Sequence, residues 1–534
     1  MKEAEKIDAL FAPLDRPDSP GCAVAVLRDG DVVLQRCHGM ADLERGIAIT
    51  PSTVFDVAST SKQFTAVCIA LLAEQGKLGL DDEARAYLPE LPRYEAPLTI
   101  RHLLQHTGGV RDYPALLGLA GLPDVTPAGA LALIARQKGL DFTPGEEFLY
   151  CNSGYVLLAE IVERVSGQPL ARFAEENVFR PLGMGRTAFS AEPVAGQALA
   201  YSPGEEGGFQ IDMEGVNLPG DGALKTTLED LCRWDRNFYD NRLGRGGPGL
   251  IEQLVTPGVL ASGEPIGYGL GLFLGEFAGL RFVRHSGTWA GYKAELLRFP
   301  DLRLSVILLS NLGALDPEAV SRQIAEALLA EHLPPQPEAE PAEVTEEPPF
   351  IDLPEAELEA KTGTFRNRAT GRMWQFSRHE GKLVAVSGLF FEIRPVSRTH
   401  FRAVGAPAAI DLYYQEGPAG RPAAIGWHVA GQEPGVLEPL ELAIPTAEEL
   451  AGYAGRYHSE ELAATHEVVA AEGGLALRLG AAPFAAPLEA TAKDQFTLQG
   501  AVLDFLRDGA GRVSGFAVSL GRIKGLRFEK TATA

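Results

Sequence analysis

The stretch Val57-Ala58-Ser59-Thr60-Ser61-Lys62-Gln63-Phe64 decides the fold of the first half of this chain. Apolar residues follow it at helical spacing, and no Gly or Pro interrupts them until Gly76. The pattern predicts a buried helix with Ser59 at its N-terminus and Lys62 one turn later on the same face. A serine hydroxyl needs a neighbouring base to act as a nucleophile, and a lysine in a water-poor cleft can be that base. The alternative, a serine that caps the helix and a solvated lysine, stays open from this stretch alone.

Length and charge restrict the class of protein. A chain of 534 residues is too long for one hydrophobic core, so we expect two or three domains. The net charge of -23 argues against nucleic acid and anionic membrane as partners. The charged start has no apolar signal core, and the five widely spaced cysteines indicate neither structural disulfides nor a cysteine-based zinc site. The sequence therefore predicts a soluble, cytoplasmic protein.

Strand patterns at both ends of the first domain predict an antiparallel sheet in which the early and late segments meet. Cys22–Leu27 and Asp31–Gln35 read as a hairpin, and Glu295–Phe299 and Leu304–Ser310 read as a second pair. Helical patterns lie between the pairs. A last helix is predicted from about Pro317 to Glu331.

The second half of the chain contains a weak internal repeat. Gly363-Thr364-Phe365 and Gly455-Arg456-Tyr457 share a pattern at an offset of 92 residues, and Glu357-Leu358 and Glu449-Leu450 share the same offset. Short alternating strands surround them, which predicts two small, closed, antiparallel β-barrels of the lipocalin-like kind. The predicted organisation is multidomain α+β: a catalytic domain over 1–333, a Pro/Glu-rich linker over 334–349, and barrels over 350–443 and 444–534.

Three motifs in the first domain could form one site: Ser59-x-x-Lys62, Tyr150-Cys151-Asn152 and His285-Ser286-Gly287. Lys62 and Tyr150 could share the work of a base, because a nearby cation favours the phenolate form of a tyrosine. Asn152 could hold a substrate amide or the lysine. A strand carrying His285 and Gly287 could form the far wall, with the glycine admitting substrate backbone. Tyr150 as a core aromatic and His285 as a hydrogen-bonded strand histidine are the alternatives, and the order of all three motifs favours a catalytic site.

Together the three motifs resemble those of the penicillin-recognising serine hydrolases, the family of cephalosporinase-type β-lactamases, DD-peptidases and related esterases. Gln105-His106-Thr107-Gly108-Gly109 is also similar to a stretch common in this family, whereas His285 stands where many members have lysine. Two barrels after the catalytic domain, together with Arg111-Asp112-Tyr113, are similar to the D-aminopeptidase branch. The chain lacks the Gly-x-Ser-x-Gly of α/β-hydrolases and the His-Glu-x-x-His of zinc hydrolases.

The resemblance implies a role for each matched residue. Ser59 would form an acyl-enzyme, and Lys62 and Tyr150 would move protons. Asn152 would position substrate and lysine, and the backbone N–H groups of Ser59 and Thr288 would form the oxyanion hole. Three further residues would bind substrate or line the cleft, with His285 also a candidate for proton transfer: His285, Gly287 and Thr288. The family needs no metal or other cofactor.

The resemblance also implies the substrate. It is a small molecule or short peptide from which an N-terminal D-amino acid is released, and a homodimer is one assembly compatible with the sequence. One departure concerns Gln499-Gly500-Ala501, a short turn where D-aminopeptidases carry a long loop into the cleft. A β-lactamase-related carboxylesterase, and a penicillin-binding DD-carboxypeptidase or β-lactamase, therefore stay open as alternatives.

Overall fold

The computed structural model describes residues 2–204, 207–329, 350–367, 373–379, 381–386, 390–404, 410–418, 421–429, 434–440, 445–471, 474–480 and 482–531. The chain divides into two compact units, Met1–Gln336 and Pro337–Ala534. The predicted linker at 334–349 lies outside the described residues. Within the described ranges, no helix is both long and apolar enough to cross a membrane.

The first unit is built on a six-stranded sheet whose strands lie, from one edge to the other, in the order Phe273–Phe277, Leu280–Trp289, Tyr292–Phe299, Leu304–Ser310, Cys22–Arg28 and Asp31–His38. Its strands and those of three smaller sheets are β1 (Cys22–Arg28), β2 (Asp31–His38), β3 (Met40–Asp42), β4 (Ile47–Ala48), β5 (Val54–Asp56), β6 (Ala188–Phe189), β7 (Tyr201–Pro203), β8 (Phe209–Ile211), β9 (Leu224–Thr227), β10 (Phe273–Phe277), β11 (Leu280–Trp289), β12 (Tyr292–Phe299) and β13 (Leu304–Ser310). β1 pairs antiparallel with β13, which confirms the predicted sheet that joins the two ends of this unit. Asp29 and Gly30 make the turn of the first hairpin with φ of 55° and 81°, as a two-residue turn requires.

Helices cover both faces of this sheet. They are α1 (Lys2–Phe11), α2 (Lys62–Glu74), α3 (Ile100–Leu104), α4 (Tyr113–Ala120), α5 (Pro127–Ala135), α6 (Asn152–Ser166), α7 (Leu170–Ala174), α8 (Arg180–Leu182), α9 (Leu228–Asn237), α10 (Gly249–Leu254) and α11 (Pro317–Leu329), with a π-helical turn at Glu175–Phe179 and 3₁₀ turns at Ala12–Leu14, Ala58–Ser61, Ala84–Ala86 and Pro300–Leu302. α1 and α11 bury Phe11 and Ile324 against one face, where Val24 and Val306 lie. α9 packs against β1 and β13, and the 3₁₀ turn at Ala58–Ser61 packs against β11 and β12.

α2 is buried from Lys62 to Leu72 on all sides, which explains why its apolar pattern runs without interruption. α6 begins at Asn152, so Asn152 occupies the first turn of that helix. Gly167 ends α6 with φ of 75°, the left-handed conformation that favours glycine after a helix. α11 ends at Leu329, and the predicted end at Glu331 lies outside the described residues.

The second unit contains two closed eight-stranded antiparallel barrels, which confirms the predicted fold class. The first barrel consists of β14 (Gly363–Asn367), β15 (Met373–His379), β16 (Lys382–Val386), β17 (Phe390–Pro395), β18 (His400–Val404), β19 (Ile410–Glu416), β20 (Pro422–Val429) and β21 (Gly435–Pro439), preceded by α12 (Glu355–Glu359). The second consists of β22 (Gly455–Ser459), β23 (Ala464–Ala471), β24 (Gly474–Arg478), β25 (Ala486–Ala492), β26 (Gln495–Leu498), β27 (Ala501–Arg507), β28 (Val513–Leu520) and β29 (Ile523–Lys530), preceded by α13 (Ala447–Tyr453).

The repeat of 92 residues corresponds to equivalent places in the two barrels. Gly363 and Gly455 open β14 and β22 with φ of 140° and 148°, a backbone conformation that favours glycine in both copies. Gln499 and Gly500, with φ of 48° and 86°, make a tight hairpin turn between β26 and β27. The connection is therefore as short as the sequence indicated. The predicted boundaries at 333/334 and 443/444 fall on residues that are not described and stay predictions.

A buried ion pair ties α9 to the main sheet. Arg298 of β12 donates from Nε to Asp235 Oδ1 of α9 at 2.6 Å, and both side chains are 1% exposed. The guanidinium lies 3.9 Å from the ring centroid of Phe238. Burial raises the pKa of Asp235 despite the neighbouring arginine, so this charge is costly to bury and depends on its partner.

We expect Arg298→Met to destabilise the first unit by about 3–5 kcal/mol, because it leaves the Asp235 carboxylate buried without its partner. The matched control is Arg281→Met, which breaks the exposed Arg281–Asp301 pair and should change little. Calorimetric unfolding of both variants measures the difference. Equal unfolding temperatures for the two variants would contradict the importance of the buried pair.

Candidate active site

The turn that carries Ser59 is held by a buried carboxylate. Asp56 accepts the N–H of Ala58 at 2.7 Å and the side-chain amide of Asn217 at 2.6 Å, and it pairs with Lys225. Ala58 has φ of 45°, a strained conformation for alanine that persists only where surrounding contacts impose it. The Asp56 hydrogen bond therefore presents Ser59 in a defined position immediately before α2.

Lys62 lies one turn after Ser59, as predicted, with a side chain buried from solvent. Its Nζ is 3.1 Å from Ser59 Oγ, 2.9 Å from Asn152 Oδ1 and 2.8 Å from the backbone oxygen of Asp221. An ammonium group has three donors, and here each donor has one acceptor. The structure therefore brings the first and second motifs together around one buried lysine, and the alternative of a solvated surface charge is wrong.

The ring of Tyr150 contacts the same lysine, Lys62. Lys62 Nζ is 5.0 Å from the centroid of the Tyr150 ring. That ring is 4.3 Å from His106 and stacks nearly parallel to Phe273 at 6.1 Å, so an aromatic cluster orients it. The Tyr150 ring therefore lies beside the cation, and proton exchange between its hydroxyl and Lys62 or Ser59 stays a prediction.

His285 is 1% exposed and engaged within the protein at both ring nitrogens. Its Nδ1 is 2.6 Å from the backbone oxygen of Ser286, which can only accept, so Nδ1 carries the proton. Its Nε2, 3.2 Å from the Tyr268 hydroxyl, then accepts. Burial, helped by the charge of Lys62, lowers the pKa of His285 to about 3, so the imidazole is neutral. The alternative of a hydrogen-bonded strand histidine describes this geometry, and a direct part in substrate binding or proton transfer stays a prediction.

The glycine of the third motif is required by the packing of the chain itself. A Cβ at Gly287 would lie 2.0 Å from the backbone oxygen of Val57, so no other residue lets β11 approach the Ser59 turn so closely. From the sequence, the missing side chain was expected to make room for substrate backbone. In the structure the backbone of Val57 occupies the place of that side chain. Ser286 faces away from the cleft and donates to Glu318 Oε1 at 2.7 Å.

Thr288 is exposed at an open edge of β11. β10 pairs with β11 only from Leu280 to Arg284, and a two-residue turn joins Trp289 to Tyr292 of β12. Hydrogen-bonded and non-hydrogen-bonded pairs alternate in antiparallel strands, so Thr288 belongs to a non-hydrogen-bonded pair and its N–H points away from β12. A part of that N–H in an oxyanion hole stays a prediction.

Three residues that the sequence interpretation did not place in the site complete it: Asp112, Tyr113 and Asp221. Asp112 accepts from Asn152, Tyr113 donates to Asp221, and the backbone of Asp221 holds Lys62. Burial raises the pKa of the Asp221 carboxyl to about 7, against the opposing effect of Lys62. Arg111-Asp112-Tyr113 was noted in the sequence and Asp221 lies between two glycines, but no local pattern places these residues beside others so distant in sequence.

Comparisons with known proteins agree with this geometry. The profile of the β-lactamase family matches residues 7–331. A D-aminopeptidase of Brucella canis is 30% identical over 536 residues, which cover 96% of this chain and 96% of that protein. Penicillin-binding protein 4* of Bacillus subtilis is 32% identical over 335 residues, covering 58% of this chain and 73% of that one.

Among solved structures, the octameric penicillin-binding protein homologue from Pyrococcus abyssi has a TM-score of 0.57 and 22% identity, covering 82% of this chain and 100% of that one. At that identity the likeness concerns the fold. The family profile covers more than half of the chain, and the Brucella relative matches it along nearly its whole length. The chain therefore belongs to the β-lactamase family of penicillin-recognising serine hydrolases, close to the D-aminopeptidases.

Proposed function

We propose that this protein is a D-aminopeptidase-like serine hydrolase that acts through an acyl-enzyme and releases N-terminal D-amino acids from small peptides or amides. The observation that carries the proposal is the 3.1 Å separation between Lys62 Nζ and Ser59 Oγ at the start of a buried helix. Similarity to D-aminopeptidases along 96% of the chain supports the substrate class. A cytoplasmic location and a homodimeric assembly stay predictions from the sequence.

In the reactive state the Lys62–Tyr150 pair carries one proton fewer than an ammonium beside a phenol, and Ser59 Oγ gives its proton to this pair as it attacks the carbonyl carbon of the substrate. The backbone N–H groups of Ser59 and Thr288 stabilise the oxyanion of the tetrahedral intermediate. Tyr150 then protonates the leaving amine, which leaves an ester between Ser59 and the D-aminoacyl group. A water molecule, deprotonated by the same pair, attacks that ester and regenerates the serine.

A carboxylesterase is the second candidate, and the tight turn at Gln499 and Gly500 favours it. D-aminopeptidases resembled by the sequence carry a longer loop at this place, and without it the recognition of a free amine needs other groups. The net charge of -23 attracts a cationic substrate at long range and supports the aminopeptidase.

Ser59→Ala should lower the rate of hydrolysis by at least about a thousandfold, because the variant has no nucleophile. The measurement is kcat/KM for D-alanyl p-nitroanilide, together with labelling by a fluorophosphonate, which should mark the wild type only. Ser190→Ala is the control, because this hydroxyl donates to the nearby Glu192 backbone at an exposed position. More than about a tenth of wild-type activity in Ser59→Ala would exclude Ser59 as the nucleophile.

N-acetylation of D-alanyl p-nitroanilide should lower kcat/KM by about tenfold or more, because it removes the charged amine that an aminopeptidase recognises. The comparison includes p-nitrophenyl acetate, assayed on the same preparation. Equal rates for the free and acetylated anilides would show that no free amine is recognised. Turnover of the ester alone would establish the esterase.

Nitrocefin should be hydrolysed at least about tenfold less efficiently than D-alanyl p-nitroanilide. The third motif has no charged donor that could bind the carboxylate of a β-lactam. The physical reason is the buried, neutral His285, which offers a β-lactam carboxylate no positive charge. Values of kcat/KM for the two compounds test this. Comparable efficiencies would favour a β-lactamase or DD-carboxypeptidase.

A further inference from the structure

We infer that Asp112 and Tyr113, adjacent residues at the start of α4, are positioning residues for Lys62, because each fixes one of the two acceptors that hold the lysine beside Ser59. The inference rests on the proposed function, in which the Lys62–Tyr150 pair receives the proton of the nucleophile. Neither side chain contacts Ser59 in the described hydrogen bonds, and both act through another residue.

Asp112 fixes the amide of Asn152. Its carboxylate is 4% exposed and accepts from the Asn152 backbone N–H at 2.5 Å and from Asn152 Nδ2 at 3.2 Å. Because Nδ2 is held by the carboxylate, Oδ1 must face Lys62, where it accepts at 2.9 Å. A flipped amide would put its N–H donors against the ammonium group and leave a buried donor without an acceptor. Asp112 therefore decides which end of Asn152 the lysine meets.

Tyr113 fixes the peptide that supplies the other acceptor. Its hydroxyl, in a side chain 1% exposed, donates to Asp221 Oδ2 at 3.2 Å, and the backbone oxygen of Asp221 accepts from Lys62 at 2.8 Å. Glycines flank Asp221 on both sides, so the local backbone is intrinsically permissive. Thr65 donates to the Gly220 oxygen at 2.8 Å and secures the preceding carbonyl. The Tyr113 bond therefore secures Asp221 from the side-chain end.

Both acceptors of Lys62 are therefore held by one short segment, which is itself anchored to α6. The backbone N–H of Tyr113 donates to Ser153 Oγ at 2.8 Å, and that hydroxyl donates to the backbone oxygen of Arg111 at 2.7 Å. The segment from Arg111 to Tyr113 and the first turn of α6 therefore form one hydrogen-bonded unit behind the lysine. A lysine stem has four rotatable bonds, and fixed acceptors keep its amine within reach of Ser59.

The test uses Asp112→Asn and Tyr113→Phe in the full chain. Asp112→Asn keeps the shape of the side chain but replaces one carboxylate oxygen by an NH2 group. Two donors of Asn152 point at this side chain, so one of them would face the new NH2 group. A flip of the Asn152 amide removes that conflict and is therefore favoured. Tyr113→Phe deletes only the hydroxyl. We expect each variant to lower kcat for D-alanyl p-nitroanilide, and the rate at which a fluorophosphonate labels Ser59, by about tenfold to a hundredfold. KM should stay within about threefold of wild type in Tyr113→Phe, which leaves Asn152 unchanged, whereas the flipped Asn152 of Asp112→Asn also alters a residue expected to contact substrate.

Two comparisons separate positioning from a loss of folding. Asp112→Glu retains a carboxylate that can accept from Asn152, so it should recover part of the rate lost in Asp112→Asn. Tyr87→Phe is the matched control, because Tyr87 donates to Asp82 at 2.6 Å in the same kind of pair without contacting Lys62, and its rates should equal wild type. Thermal unfolding of each variant confirms that folded protein is compared.

The two possible failures have different signatures. If Asp112→Asn and Tyr113→Phe label Ser59 as fast as wild type, or raise KM with kcat unchanged, the positioning role is wrong while the proposed function stands. If the wild type itself is not labelled at Ser59, the proposed function fails. The labelling reagent carries no D-amino acid, so the result does not depend on the substrate class.

Discussion

The site depends on a single constraint: a lysine ammonium buried inside the protein must have an acceptor for each of its donors. A buried charge without partners costs several kcal/mol or more, so the fold has to bring acceptors to Lys62 from elsewhere. They come from α6 and from the segment before β9, more than 80 residues away in each case. The third is Ser59 itself, which places the nucleophile and the candidate base in contact.

The other buried charges of the first unit also hold its helices, strands and turns in fixed relative positions. Asp56 receives donors from the Ser59 turn, from Asn217 and from Lys225, so the nucleophile is tied to β9. Arg298 and Asp235 connect β12 to α9 on the same face of the sheet. Because each of these groups is costly to leave unpaired, displacing one element is opposed by its neighbours, and the strained Ala58 conformation persists.

The third motif shows that residues expected to line a site can be buried within the protein instead. His285 is neutral, buried and paired with Tyr268, whose ring belongs to the aromatic cluster around Tyr150. Gly287 lets the Ser59 turn contact the strand, and Thr288 offers a backbone N–H at the open edge. In the structure His285 and Gly287 are engaged in hydrogen bonds and packing within the protein, and the parts of His285 and Thr288 in catalysis stay predictions.

Local patterns in the sequence were enough to determine the buried helix after Ser59 and the position of Lys62 on the same face as Ser59. They also determined the first hairpin and the two barrels, which repeat at an offset of 92 residues. These features depend on periodicity, glycine positions and spacing, which act over a few residues. Tertiary structure alone decided that Asn152 and Asp221 hold Lys62, that Asp112 and Tyr113 hold those acceptors, and that His285 is uncharged. Each of these depends on burial and on hydrogen bonds between segments distant in the chain, which no local pattern encodes.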